Sequence, residues 1–150
     1  MTKETERIVR ILEKTFDKQP WYGSSIMEVL SRVTPEKAHQ RIGSSHTITE
    51  IVLHMTTWRH FAIHRLQGDN TFEVSEAMNF PHAGSIQEAV EALRQSQLKL
   101  LEAAANFPDE RLGELVPSKT QRYTYYTLLH GITQHDIYHL GQIALLLKTV

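Results

Sequence analysis

Two capping boxes constrain this chain more than any other feature. Thr47-Ile-Thr-Glu50 and Ser85-Ile-Gln-Glu88 each place a hydroxyl three residues ahead of a glutamate, at the head of a run with helical period. There the hydroxyl accepts the third N–H of the helix and the carboxylate reaches back to the cap N–H, which fixes where the helix begins. The helix opened by Thr47 is expected to reach about Gln67 and stop at Gly68, a residue suited to the left-handed turn after a helix. The helix opened by Ser85 is expected to reach about Asn106. Two more segments repeat apolar residues at helical spacing: about Lys3 to Lys18, with Ile8, Ile11, Leu12 and Phe16 ahead of Pro20, and about Thr124 to Lys148.

Between the first two long helices lie two shorter starts. Ser24 and Ser25 precede IMEVL, and Thr34-Pro35-Glu36 puts proline in a favoured first-turn position. Strand patterns are lacking, and only Leu115–Val116 reads as a short extended piece. The expected class is all-α: a four-helix bundle over residues 1–150 as one domain, with a short helical insert after the first helix. The stretch from Gly68 to Gly84 and the one bracketed by Pro108 and Pro117 exceed the usual bundle loop, so they would permit a crossover or line a pocket mouth.

Composition removes several function classes. Lys plus Arg number 16 against 17 Asp plus Glu, a net charge of −1, without the basic stripe that phosphate contacts need. No nucleic-acid partner is expected. The absence of cysteine rules out a disulfide framework, a Cys-ligated zinc finger, an iron–sulfur cluster and a cysteine nucleophile. The start, MTKETERIVR, is too charged for a signal segment, and the longest apolar run, Ile143 to Leu147, is far short of the ~20 residues of a membrane span. A cytoplasmic protein without a membrane partner is expected.

Nine histidines remain to be explained. On the last helix His135 and His139 lie about 40° apart and share a face with Ile132, Leu128, Ile143 and Leu146. His130 points away from that face. On the second long helix His54 lies at the edge of the apolar arc, whereas His60 and His64 fall on the polar side. A buried imidazole must satisfy two ring nitrogens, and a metal ion satisfies one on each ring. Two histidines one turn apart can chelate an ion, and a third from a facing helix would complete a three-His site suited to Zn²⁺, Ni²⁺ or Fe²⁺, with positions open for water or substrate. The alternative is a hydrogen-bonded core pair. Asp136 either orients a ligand imidazole, relays a proton, or bonds across the bundle; Gln142 lies on the ligand side, towards substrate or behind a ligand. Glu50 is a candidate base already explained by its capping box. Trp58 and Tyr125 read mainly as core. His39, His46, His60, His64 and His82 read as surface or loop residues, and Arg59 and Arg65 as a solvated helix face. Glu36-x-x-His39 is only half of a di-iron motif, and neither H-E-x-x-H nor G-x-S-x-G occurs.

The segment LLHGITQHDIYHLGQIALLLK, residues 128–148, resembles the signature helix of the DinB/YfiT-like superfamily of bacterial metalloenzymes, H-G-x-x-x-H-[DE]-x-x-H-x-G-Q-I. It matches at His130, Gly131, His135, Asp136, His139, Gly141, Gln142 and Ile143. ITEIVLHMTTWRHFAIHRLQG, residues 48–68, resembles the family helix that carries a ligand histidine followed by tryptophan, and Trp21-Tyr-Gly-Ser with IMEVLSRVTPEKA is a third similar block. The resemblance implies the bundle fold and a metal held by His54, His135 and His139. It also implies kinship with bacillithiol- and mycothiol-dependent transferases and a thiol-dependent isomerase. Members of the family often form homodimers. Two functions follow as expectations. One is a divalent-metal enzyme, a hydrolase or thiol S-transferase acting on a small electrophile, with any low-molecular-weight thiol supplied from outside. The other is a non-catalytic, stress-related metal-binding protein.

Overall fold

A computed structural model describes residues 3–82 and 84–150; of the span read as one domain, residues 1, 2 and 83 lie outside the described residues. The chain is all-helical. Its helices are α1 (Glu4–Asp17), α2 (Ile26–Leu30), α3 (Pro35–Ala38), α4 (Ile48–Leu66), α5 (Glu76–Asn79), α6 (Ile86–Asn106) and α7 (Tyr125–Thr149), with a 3₁₀ turn at Asp109–Arg111. Among the described residues, extended pairing is limited to one bridge between Leu115 and Thr124.

The helix starts are where local chemistry puts them. Ser25, Thr34, Thr47, Ser75, Ser85 and Thr124 each accept an N–H of the first turn, and both capping boxes are complete. Gly68, at φ 85°, closes α4 in the left-handed region. Helix α1 has no side-chain cap of its own. Asp109 supplies one from across the fold, accepting from the Glu4 and Thr5 amides at 2.6 and 3.0 Å and from the Thr5 hydroxyl at 2.7 Å. The short α5 was not expected. Its signal was Ser75 ahead of Glu-Ala-Met, with Pro81 just beyond.

The four long helices pack in a ring: α1 on α6, α6 on α4, α4 on α7, and α7 back on α1. Two apolar clusters fill it. Ile26, Ile48, Val52, Met55, Leu93 and Ile143 belong to one, and Ile8, Leu12, Leu100, Leu129, Ile132 and Tyr125 to the other. The long helices also bury polar side chains, chief among them Arg59 and Asp136, each 1% exposed. The Arg59 guanidinium donates to Asp136 through Nη2 at 2.6 Å and Nε at 3.4 Å, and through Nη1 to Gln97 Oε1 at 2.6 Å. Gln97 Nε2 in turn donates to the Leu12 carbonyl at 3.3 Å, and the guanidinium lies 5.0 Å from the Phe16 ring centre. One network thus joins all four long helices.

The expectation of a solvated Arg59/Arg65 face is therefore corrected. Arg65, also 1% exposed, lies over Phe61 and bonds to the Asp69 carbonyl and Glu73. Helix α4 packs on α6 and α7 and carries α3 and α5 as well, so little of its circumference meets water. Its arginines are buried because each has partners for its charge.

Removing one member of the central pair leaves the other buried and unpaired. Arg59→Met should cost about 3–5 kcal/mol of stability in urea unfolding, and adding Asp136→Leu should restore most of it.

Candidate metal centre

Helices α4 and α7 bring three imidazoles together. His54 Nε2 lies 3.0 Å from His135 Nε2, which lies 3.1 Å from His139 Nε2. One ligand atom from each residue falls within 4.8 Å of the others, and among the described residues no other group of three His, Cys, Asp or Glu does so.

The outer nitrogens decide what the inner ones can do. His54 Nδ1 donates to the Asn79 main-chain oxygen at 2.6 Å. A carbonyl only accepts, so the ring hydrogen sits on Nδ1 and Nε2 presents a lone pair. His139 Nδ1 donates to Gln142 Oε1 at 2.7 Å, with the same consequence. A hydrogen on His135 Nε2 would have to be shared between two acceptors, and would leave His135 Nδ1, buried without a partner, as a bare lone pair. A divalent cation accepts all three lone pairs at once. The spacing fits too, because two nitrogens about 2.0–2.1 Å from one ion stand about 3.0–3.4 Å apart. Tying off the far nitrogen is also how ligand histidines are held in orientation.

Electrostatics keep the rings neutral, the form that ligates. Burial, then the neighbouring His139, His54 and Arg59, pushes His135 down to about 3. Burial is also the main cause of the lowered values of His54 and His139. Asp136 is turned away from the imidazoles into Arg59, so of the alternatives read from sequence it takes the bond across the helices. Burial pushes its carboxyl up, against the pull of the guanidinium.

Sequence reasoning missed Phe80 and Asn79. Phe80 stacks on His54 with ring centres 4.0 Å apart and on His46 at 3.6 Å, a three-ring sandwich with planes within 5°. Asn79 Oδ1 accepts from Trp58 Nε1 at 3.0 Å, and the Met78 carbonyl accepts from the Thr57 hydroxyl at 3.0 Å. The end of α5 is thereby clipped along α4 beside the trio. His46 and His82 are exposed, as expected of loop residues, yet both bond to the buried Glu50 carboxylate, which Arg41 also contacts. Burial opposes ionisation of Glu50, but the Thr47 amide, His82, His46 and Arg41 outweigh it and bring the carboxyl to about 2. A carboxyl held that low is a poor base near neutral pH. Tyr125 is core, whereas Trp58 is half-buried against the apolar cluster and also lines a cavity.

Two cavities flank the trio. One, of about 590 Å³, reaches His135; the other, of about 490 Å³, reaches His139 and Gln142.

The all-helical chain thus gathers three imidazoles, two buried and that of His135 half-buried, into a group that could hold a divalent metal ion. Residues 24–143 match the family model of the DinB superfamily, and the chain belongs to that superfamily. No curated protein and no solved structure matches it. Among the described residues no helix is long and apolar enough to cross a membrane.

Two predictions follow from the ring environments. An imidazole lowered from 6.5 towards 3 adds stability that is complete above about 6.5 and is lost as pH falls, because the unfolded chain takes up protons first. Glu50 acts in the same direction only below its ordinary 4.5. Metal-free protein should therefore lose thermal stability between pH 6.5 and 4.5, and His135→Phe should flatten that slope in a melting series. Separately, Gln142→Ala should weaken zinc binding by about 10–100-fold in competition titrations, with little change in melting temperature.

Proposed function

We propose that the protein is a divalent-metal-dependent enzyme that acts on a small electrophilic molecule, as a hydrolase or a thiol S-transferase. The observation that carries this reading is the convergence of three Nε2 atoms whose rings are held neutral, two of them with the outer nitrogen already bonded. His54, His135 and His139 would hold the ion; three neutral nitrogens suit zinc or nickel, and also iron. Such an ion supplies Lewis acidity and makes a bound water or thiol nucleophilic near neutral pH. The remaining work falls to the chain. Asn79 and Gln142 orient the rings. Phe80 covers one face of His54 against water. Arg59 engages the Asp136 carboxylate, so Asp136 acts as a positioning residue rather than a competing ligand. With Oε1 bonded to His139, the Gln142 amide nitrogen remains a donor at the second cavity, where the attacking water or external thiol can accept from it. The chain has no cysteine, so any thiol is an external, diffusible one.

The helical ring is read here as a four-helix bundle, and the protein as a cytoplasmic homodimer whose partner in catalysis is a small molecule. Exposed Tyr126, Tyr138 and Leu145 on α7 offer apolar surface for a second copy.

Tag-free protein should carry about one divalent ion per chain by elemental analysis. His54→Ala, His135→Ala and His139→Ala should each lose it; His60→Ala should keep it. Full occupancy in the His135→Ala/His139→Ala double variant would contradict the site. Metal-loaded protein should hydrolyse, or couple a thiol to, members of an electrophile panel that metal-free protein leaves untouched. Equal rates with and without metal would leave a binding protein and no enzyme.

A further inference from the structure

The two cavities beside the trio differ in character. The one reaching His139 is lined by Ser44, Ser45, His46 and Gln142 alongside Phe80 and Tyr138, and no lysine or arginine lines it. The one reaching His135 has walls of Trp58, Phe61, Leu128 and Ile132, and the single formal charge in its lining is that of Arg122. Its volume, about 590 Å³, is that of a small-molecule site.

Gly131 belongs to that lining, one turn before His135 on α7. Glycine is the least favourable residue inside a helix after proline. A Cβ built there would meet nothing within 4 Å, so no packing contact requires the glycine. Its effect is to leave open the wall nearest the trio. Exposed Arg122, with Gln121 and half-buried Tyr123 beside it, offers charged and neutral donors to a ligand in the cavity.

We propose that the cavity over Gly131 is the site of the organic substrate, and that it takes an apolar, flat ligand carrying one anionic group, which Arg122 recognises. The apolar walls hold the body of the ligand, Trp58 gives it a ring to stack on, and the guanidinium fixes which end is held away from the trio. That this ligand is a substrate rests on the metal-enzyme reading above; that it binds there does not.

The chain has two tryptophans, and Trp21 is wholly exposed, so Trp21→Phe leaves Trp58, in the cavity wall, as the sole tryptophan, read by selective tryptophan excitation. Titrations of that protein, metal-free and zinc-loaded, with 3-phenylpropionate, 3-phenylpropionamide, 3-phenylpropylamine and acetate separate charge from apolar body. The acid should give saturable quenching, with the amide at least about fivefold weaker, and the amine and acetate should not saturate over the same range. In the same background Arg122→Gln should bring the acid to the level of the amide. Gly131→Leu should weaken both by about tenfold or more while circular dichroism and zinc content stay unchanged. Equal affinity for acid and amide in metal-free protein would overturn the proposal. So would undiminished binding by Gly131→Leu, or no saturable binding by any probe. Zinc content of the same samples reports on the metal centre separately. Protein that binds the acid but no zinc keeps the ligand site and loses the enzyme; protein that binds zinc but no acid loses the ligand site alone.

Discussion

The Arg59–Asp136 ion pair is what the rest of the structure depends on. It joins α4 to α7, the two helices that carry the imidazoles, and Asp136 is the immediate neighbour of His135. Through Gln97 it reaches α6 and the Leu12 carbonyl of α1, and Phe16 lies beneath the guanidinium. A buried ion pair adds little net stability compared with a well-packed apolar pair. Its contribution here is registry. Apolar side chains tolerate small rotations of a helix about its axis, but a two-point charged contact, one bond of 2.6 Å and one of 3.4 Å, tolerates them less. With α4 and α7 held in rotation, His54 meets His135 and His139 across the gap between the helices.

Ordering of the rings continues outward from that frame. Asn79, the last residue of α5, supplies a carbonyl to His54 and an amide oxygen to Trp58, and Phe80 just beyond it supplies a ring to the stack that ends in His46. Gln142 does for His139, from the same helix, what Asn79 does for His54 from the end of α5. His135 has no such partner, and it is the ring that opens into the larger apolar cavity. Two rings of the trio are thus fixed by bonds at their outer nitrogens, and the third is not.

The sequence-legible parts of this arrangement are those whose physics is local. Thr47 and Ser85 announce their helices because cap and third residue are near neighbours, and the four long helices begin and end within a residue or two of expectation. His135 and His139 could be placed on one inward face because their spacing is fixed by the helix. His54, at the edge of its apolar arc, was singled out by family resemblance. What was not legible depends on contacts distant in the chain. Arg59 and Arg65 carry charge and read as solvated, since no pattern shows Asp136, 77 positions away, or the loop that brings Glu73 back to α4. The Asn79 carbonyl that orients His54 has no side-chain signature at all. Asp109 caps α1 across 104 and 105 residues, beyond any motif.

The most direct measurement of the metal centre is X-ray absorption at the zinc edge on protein loaded with one equivalent of zinc. Three imidazole nitrogens at about 2.0–2.1 Å, with the rest of the coordination made up by exchangeable oxygen, is the expected result. An all-oxygen shell, or a spectrum that stays the same in the His135→Ala/His139→Ala variant, would contradict it.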